Sequence, residues 1–356
     1  MPTRHHVEIA HDELLGMQEL GYAVGDFHYA AKDGYSSAIS RIYIIVKNAF
    51  NLIGIAYSFK PDIVYFNSRL EVLAGIRDFI TILMLKAFYW RKVKIVLKSH
   101  GSDLTVLNSH RVIIKKVILP FLKKNVSAWL FLSQEEKVNI INSGFLPASR
   151  VFVTKNIVRI DHFKPTPAFK IKHGIAEGSK ILLFVGRIIR EKGIYEVLEA
   201  FKKIDADEPL VLIVVGDGAE YEHIRREYNT AQSGGRIVFT GFIPEQQVVD
   251  YYANSDMLVF PTYFPEGFPM ALFNSVAAGL SIVTTATRAA SDYLTEPENC
   301  LWVEPQDSDS VADAVTKILK LKALESSMKF NNLRKAELFS RSRVAGELSE
   351  IFNQIV

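Results

Sequence analysis

A single cysteine, Cys300, excludes an internal disulfide, and its scarcity fits a reducing compartment. The opening residues, "MPTRHHVEIAHDELLG", are polar and hold no uninterrupted apolar stretch, so no secretory signal is expected. Long hydrophobic runs are also scarce. The windows Ile42 to Phe59 and Phe79 to Trp90 are broken by Lys47, Asn48, Asn51 and Lys86, and the second is too short to span a bilayer. No transmembrane helix is expected. Nor does the chain contain a solenoid repeat or a low-complexity tract. What remains is a folded soluble composition, 49% hydrophobic and 23% charged, over 356 residues, enough for two full domains.

The net charge of +3 is unevenly placed. Residues 1–160 carry 21 Lys and Arg against 12 Asp and Glu, whereas the rest carry 21 against 27. Lys86 to Lys124 alone holds ten basic residues and one acid, Asp103, interleaved with Phe88, Tyr89, Trp90, Ile113, Val117 and Phe121. Such a run suits an anionic membrane surface, although solvated helix edges over a packed apolar face would read the same way. No nucleic-acid motif accompanies the charge, and nucleic acid is not expected as a partner.

After residue 180, short β-branched runs ("KILLFVG", "PLVLIVVGDG", "RIVFTGF", "DMLVFPT", "LSIVTT", "CLWVEP") alternate with helical segments starting near Gly193, Ala219, Glu245, Pro269, Ala289 and Ser308. That alternation predicts a parallel, doubly wound sheet covered on both faces. The first half repeats it less cleanly, through "YAVGDFHYA", "PDIVYFNS", "VKIVLKSHG", "SAWLFLS" and "RVFVTKN". A linker is expected near residues 157–168, giving domains at 1–160 and 161–336 and a C-terminal helix, 337–356, packing back on the first.

Ligands of such sheets sit beyond the carboxyl ends of the strands, so the informative residues follow strands. "GRIIREKG" offers Arg187 as a fork and Lys192 as a point charge for a diphosphate, next to Gly186. Gly216 and Gly218 in "VVGDGAE" would allow close backbone approach. "PEGFP" opens a helix whose amides could meet phosphate oxygens. "DAD" at Asp205 to Asp207 precedes a strand and "DSD" at Asp307 to Asp309 looks like a helix cap, so no metal site is expected.

"FVGRIIREKGIYEVLEAF", "VVGDGAEYEHI", "VFTGFIPEQQVVDYYANSDMLVFPTYFPEGFPMALFNSVAAGLSIVTT" and "FSRSRVAGELSEIFNQIV" together resemble the family 4 retaining glycosyltransferases, or glycosyl transferases group 1. The resemblance is strong over residues 150–356 and looser before, through "LKSHGSDL" and "SQEEKVNIINSGF". It implies the GT-B fold, two Rossmann-like domains facing across a cleft. It also implies a nucleotide diphosphate sugar as donor, a glycan or lipid-linked acceptor, retention at the anomeric carbon, and no metal or other cofactor. By it, Arg187 and Lys192 would hold the diphosphate and Glu266 would accept hydroxyls of the transferred sugar. Phe242 and Ile243 would flank the base, Gly267, Phe268, Pro269 and Met270 would present backbone to sugar and phosphates, and His100 would look into the cleft. Surface polysaccharide synthesis at the cytoplasmic face of a membrane, as a peripheral protein, is the implied setting.

The sequence departs from the family pattern twice. Asn274 stands where a second Glu usually accepts ribose hydroxyls, and "RHHVEIAHDELLGMQELGYAV" reads as the first helix with no strand ahead of it. These departures keep open a non-catalytic binding subunit; a GT-B nucleotide-sugar epimerase, which would need acid/base carboxylates, is the other alternative.

Overall fold

The computed structural model describes residues 4–27, 37–102, 104–228 and 235–356, which form two compact units. Unit 1 comprises Met1–Ile157 with Arg341–Val356, and unit 2 comprises Val158–Ser340.

In unit 1 the described elements run α1 (Arg4–Glu19), α2 (Ala38–Phe59), β1 (Ile63–Ser68), α3 (Val72–Phe88), β2 (Lys94–Ser99), α4 (Leu119–Asn125), β3 (Ala128–Phe131), α5 (Gln134–Asn142) and β4 (Val151–Val153). The strands pair in parallel in the order β1-β2-β3-β4. One face of the sheet buries Phe66, Ile95, Leu97, Trp129 and Phe131 against Leu52, Ile82, Leu85, Ile118 and Ile140 of the helical layer. The other face, Val96, Ala128 and Leu130, is covered by Met17 of α1 and by Val344, Ala345, Leu348 and Phe352 of the last helix of the chain.

Two expectations change here. Tyr22–Phe27 is not a strand, and residues 28–30 of "YAVGDFHYA" lie outside the described residues. Side-chain anchoring replaces ladder bonding: Tyr22 Oη hydrogen-bonds Ser349 Oγ at 2.7 Å, and the Phe27 ring meets Phe66 edge-on at 5.6 Å. Among the described residues α1 precedes every strand of the sheet. The second change concerns Lys47, Asn48 and Asn51, which do not interrupt α2. Ser37 Oγ caps the helix by accepting Ser40 N–H, and 22 residues follow without a break. By length and composition alone Ile39–Phe59 could cross a bilayer, with a mean hydropathy of 1.4 and 28% of its apolar window buried.

Unit 2 contains α6 (Phe169–Lys172), β5 (Lys180–Val185), α7 (Ile194–Phe201), β6 (Leu210–Val215), α8 (Tyr221–Tyr228), β7 (Arg236–Gly241), α9 (Glu245–Ala253), β8 (Met257–Phe260), α10 (Met270–Ala277), β9 (Ser281–Thr284), α11 (Arg288–Tyr293), β10 (Leu301–Trp302), α12 (Ser308–Lys320) and α13 (Lys322–Ala336). Its six strands are all parallel, ordered β10-β9-β8-β5-β6-β7. β6 and β8 are buried at every residue, as strands covered on both faces must be. Asp307 caps α12 by accepting Asp309 and Ser310 N–H at 2.9 and 3.0 Å, which accounts for the "DSD". The chain then enters α14 (Arg341–Ile355), which belongs to unit 1.

Candidate functional site

The carboxyl ends of β5, β6, β7 and β8 in unit 2 bring together most of the residues expected from sequence. Gly186 follows β5 and donates its N–H to Val215 O at 3.0 Å, while Gly216 donates to Gly241 O at 3.0 Å. The three strand ends are thereby stitched edge to edge. Gly216 has φ of 139°, and a Cβ there would overlap the Gly186 carbonyl oxygen. A Cβ at Gly218 would likewise overlap Ile188 O. The space these glycines leave is filled by the neighbouring loop of the chain itself, so their smallness shapes the rim.

Arg190–Lys192 form a single 3-10 turn ended by Gly193 at φ 79°, where a Cβ would strike the Pro261 carbonyl. That close approach docks the turn on the loop after β8. Glu191 O accepts N–H groups from Tyr263 and Phe264 at 3.0 and 2.9 Å. Phe264 then lies beneath both cations: the Arg187 guanidinium is 4.9 Å and Lys192 Nζ 5.0 Å from its ring centroid, and Lys192 is also 5.4 Å from that of Phe260. Two like charges against one aromatic ring are held where a polyanion would neutralise both. Nothing in the spacing of the sequence identified Phe264 as their platform.

Arg187 is exposed, but Lys192 is only 5% exposed. Burial, followed by the Arg187 guanidinium, lowers the Lys192 pKa to about 7. The Glu266 carboxylate is in contact with Lys192 Nζ and acts in the opposite direction. Glu266 is set by its own backbone, donating N–H to Phe264 O at 2.8 Å, and Arg288 holds the adjacent Pro265 O at 2.9 Å. Whenever Lys192 carries its proton in the free protein, it and Glu266 neutralise each other.

The residues after Glu266 divide in two. Phe268 is buried, stacked on Phe273 at 3.8 Å within a cluster that includes Tyr293 and Phe339, so its ring anchors the loop. Pro269 is the N-cap residue of α10, with Met270 as first residue; Pro269 makes no side-chain cap, and its carbonyl accepts Leu272 and Phe273 N–H at 3.0 and 3.2 Å. Phe242 is 73% exposed just past β7, with Ile243 beside it partly covered. Asn274, on the second turn of α10, hydrogen-bonds the Tyr252 hydroxyl; burial raises the Tyr252 pKa.

His100 lies in unit 1, directly after β2. Lys98, fully buried, donates to Glu13 Oε1 at 2.5 Å and to Lys155 O at 3.0 Å, and burial lowers its pKa against the opposing pull of Glu13. Glu13 Oε2 accepts from Asn67 Nδ2 at 3.1 Å, and Asn67 Oδ1 stands 2.6 Å from His100 Nε2. Because the Asn67 amide nitrogen is committed to Glu13, its oxygen faces the ring, and His100 Nε2 carries the hydrogen. Arg69 Nε also donates to His100 O at 3.0 Å. Glu13, Asn67 and Arg69 carry no motif in the sequence. Only the fold places α1 beside the ends of β1 and β2.

Among the described residues no group of three or more His, Cys, Asp and Glu could hold a metal ion. Asp205 of the "DAD" pairs with Lys320 instead.

Residues 165–335 match the family described as glycosyl transferases group 1. N-acetyl-alpha-D-glucosaminyl L-malate synthase of Bacillus anthracis is 24% identical over 269 residues, which are 73% of this chain and 67% of that protein. A putative teichuronic acid biosynthesis glycosyltransferase of Bacillus subtilis is 27% identical over 237 residues, 64% of this chain and 55% of that one. The chain thus spans about half to two thirds of the length of these curated relatives. In fold it is similar to a glycosyltransferase from Rickettsia africae, with a TM-score of 0.76 at 16% identity, covering 98% of this chain and 94% of that one. Anabaena HepE, solved with UDP and glucose, gives 0.71 at 15% identity over 95% and 88% of the two chains.

Proposed function

Through residues 165–335 the chain belongs to the glycosyl transferases group 1 family, and on that premise we propose that it moves a sugar from a nucleotide diphosphate donor to a glycan or lipid-linked acceptor with retention, in surface polysaccharide synthesis. The observation that carries this reading is the placement of Arg187 and buried Lys192 over one ring at the carboxyl end of β5, with Glu266 in contact. HepE, a structural neighbour, was solved with UDP and with UDP-glucose, which supports a nucleotide-sugar donor.

The chemistry follows from the charges. A diphosphate arriving between Arg187 and Lys192 takes the ammonium from Glu266, freeing that carboxylate to accept hydroxyls of the donor sugar. The bond from the anomeric carbon to the diphosphate oxygen breaks as the acceptor oxygen bonds the same carbon from the same face. Negative charge gathers on the leaving diphosphate, where two fixed cations and the amides of α10 stabilise it, and the leaving phosphate takes the acceptor proton. The cations supply the stabilisation that a metal ion would otherwise provide. Exposed Phe242 and Ile243 offer apolar surface for the base, and Asn274, if it turns from Tyr252, offers an amide to the ribose.

The acceptor side is assigned to unit 1, with His100 turned by Asn67 and Glu13. The basic run from Lys86 to Lys124 suits a peripheral place on the cytoplasmic face of a membrane. Asn274 also favours a second reading, a binding subunit that holds donor without transferring it. Thermal unfolding with UDP-, GDP- and ADP-sugars tests the donor assignment. Stabilisation that grows with concentration of one nucleotide series is expected; no response to any would refute it. Protection without sugar transfer would favour the binding subunit.

A further inference from the structure

α2 and α3 of unit 1 turn apolar side chains outward, where a helix packed on a sheet by one face ordinarily presents polar ones. On α3, Leu73, Ile76, Ile80 and Leu83 recur at helical spacing and are all at least partly exposed. On α2, Ile39, Tyr43 and Phe50 do the same, at 81%, 65% and 53% exposure. The two stripes join. The Phe50 and Phe88 rings lie 5.9 Å apart, and Tyr57 Oη donates to Phe88 O at 2.5 Å. The α3 stripe continues into a groove of about 590 Å³ lined by Ile76, Phe79, Ile80, Val112, Ile113 and Ile118, of which Val112 and Ile113 stand exposed, as does Val117 one turn further on.

Cations rim this surface. Lys47, Lys86, Arg91, Lys92, Lys115 and Lys116 are all exposed, while the described acids of residues 38–125 are only Asp62, Glu71 and the buried Asp78. We propose that α2, α3 and the Val112–Val117 segment form one docking surface for an anionic lipid bilayer, with both helices lying along the interface. The charge favours this occupant over a second copy of the chain, because a symmetric contact would press rims of the same sign together. Burial favours lying over spanning: Leu52, Ile53 and Ala56 on the inner face of α2 belong to the core that holds Phe66 and Ile95, and a spanning α2 would have to leave it. The inference deepens the membrane part of the proposed function and rests on it only for its purpose, access to a lipid-linked acceptor.

Sedimentation of the whole chain with vesicles tests it, comparing phosphatidylcholine alone with an equal mixture of phosphatidylcholine and phosphatidylglycerol. Binding to the mixed vesicles is expected at low salt and should fade as screening shortens to about 8 Å near physiological salt. Lys115→Gln with Lys116→Gln should lower the partition coefficient roughly thirtyfold. Ile113→Ser with Val117→Ser, and separately Ile39→Ser with Tyr43→Ser, should each weaken it at least several-fold. Unchanged far-UV circular dichroism and thermal midpoints would show that these exposed substitutions leave unit 1 folded. Equal binding to neutral vesicles, or none to either, would overturn the proposal, as would an oligomer in vesicle-free solution that the Ile39 and Tyr43 pair of substitutions dissolves. Nucleotide-sugar protection, measured on the same samples, reports the donor site independently: docking can fail with protection intact, and protection can fail with docking intact.

Discussion

Replacing Lys192 should change not only how tightly a nucleotide sugar binds but how binding depends on pH. In the free protein Lys192 titrates near pH 7, lowered by burial and by Arg187. A bound diphosphate needs the ammonium, so binding takes up a proton wherever the free lysine is neutral. With a free pKa of about 7 and a bound pKa well above it, affinity should fall about tenfold from about pH 6 to pH 8, or about 1.4 kcal/mol. The diphosphate of a nucleotide sugar has no group titrating in that range, which makes it a better probe than the free nucleotide. The sign of the stability effect is also fixed: since folding depresses this pKa from 10.5 to about 7, the unfolded chain binds more protons in that window and stability rises with pH across it. Calorimetry in buffers of different ionisation enthalpy reads the proton uptake directly. Lys192→Arg should bind with little pH dependence, and Lys192→Met should bind weakly at every pH. Glu266→Gln removes the opposing carboxylate and should move the fall to lower pH. A flat profile in the parent protein, or an unchanged tenfold fall in Lys192→Arg, would refute the argument.

Glu13→Ala strands the Lys98 charge in the unit 1 core and should destabilise the protein by about 3–5 kcal/mol in denaturant titration, whereas the joint change Glu13→Leu with Lys98→Met should lose far less; equal losses would mean that packing, not charge, matters there. Asn274→Glu should tighten donor binding several-fold, on the order of 1 kcal/mol, with little change in maximal rate, because the ribose is remote from the reacting carbon; a fall in rate alone would contradict that placement. Gly216→Ala must push the Gly186 carbonyl aside at an unfavourable φ and should lower stability by about 1–3 kcal/mol in thermal unfolding, a neutral result showing that the rim yields freely.

The sheet of unit 2 could be read from the chain because parallel strands covered on both faces become uninterrupted apolar runs, and "LVLIVV" and "MLVF" have no other economical explanation. Unit 1 was harder at its start. Tyr22–Phe27 has the aromatic, β-favouring composition of a strand, yet Tyr22 and Phe27 are held through their side chains by Ser349 and Phe66, partners that local sequence does not reveal. Arg187, Lys192 and Glu266 were legible by type and position. Their mutual contact was not, since it depends on Gly193 letting one loop rest on Pro261. Lys98 and Glu13 are 85 residues apart and read as ordinary surface charges until α1 is laid against the strand ends. Asn274 read as a weakened ligand; its bond to Tyr252 gives the amide a partner inside the fold.

The return of α14 to unit 1 sets a timetable for the ribosome. Val344, Ala345, Leu348 and Phe352 close the face of the sheet that carries Val96 and Leu130, and Ala345 meets the α1 backbone at Gly16 so closely that a methyl there would collide. Unit 2 is complete once Ser340 has left the exit tunnel, but unit 1, begun earlier, waits for α14 to arrive. Until then its apolar face is open to chaperones or to neighbouring chains. Loss of α14 would therefore injure unit 1 while leaving the segment that holds Lys192 and Glu266 able to fold.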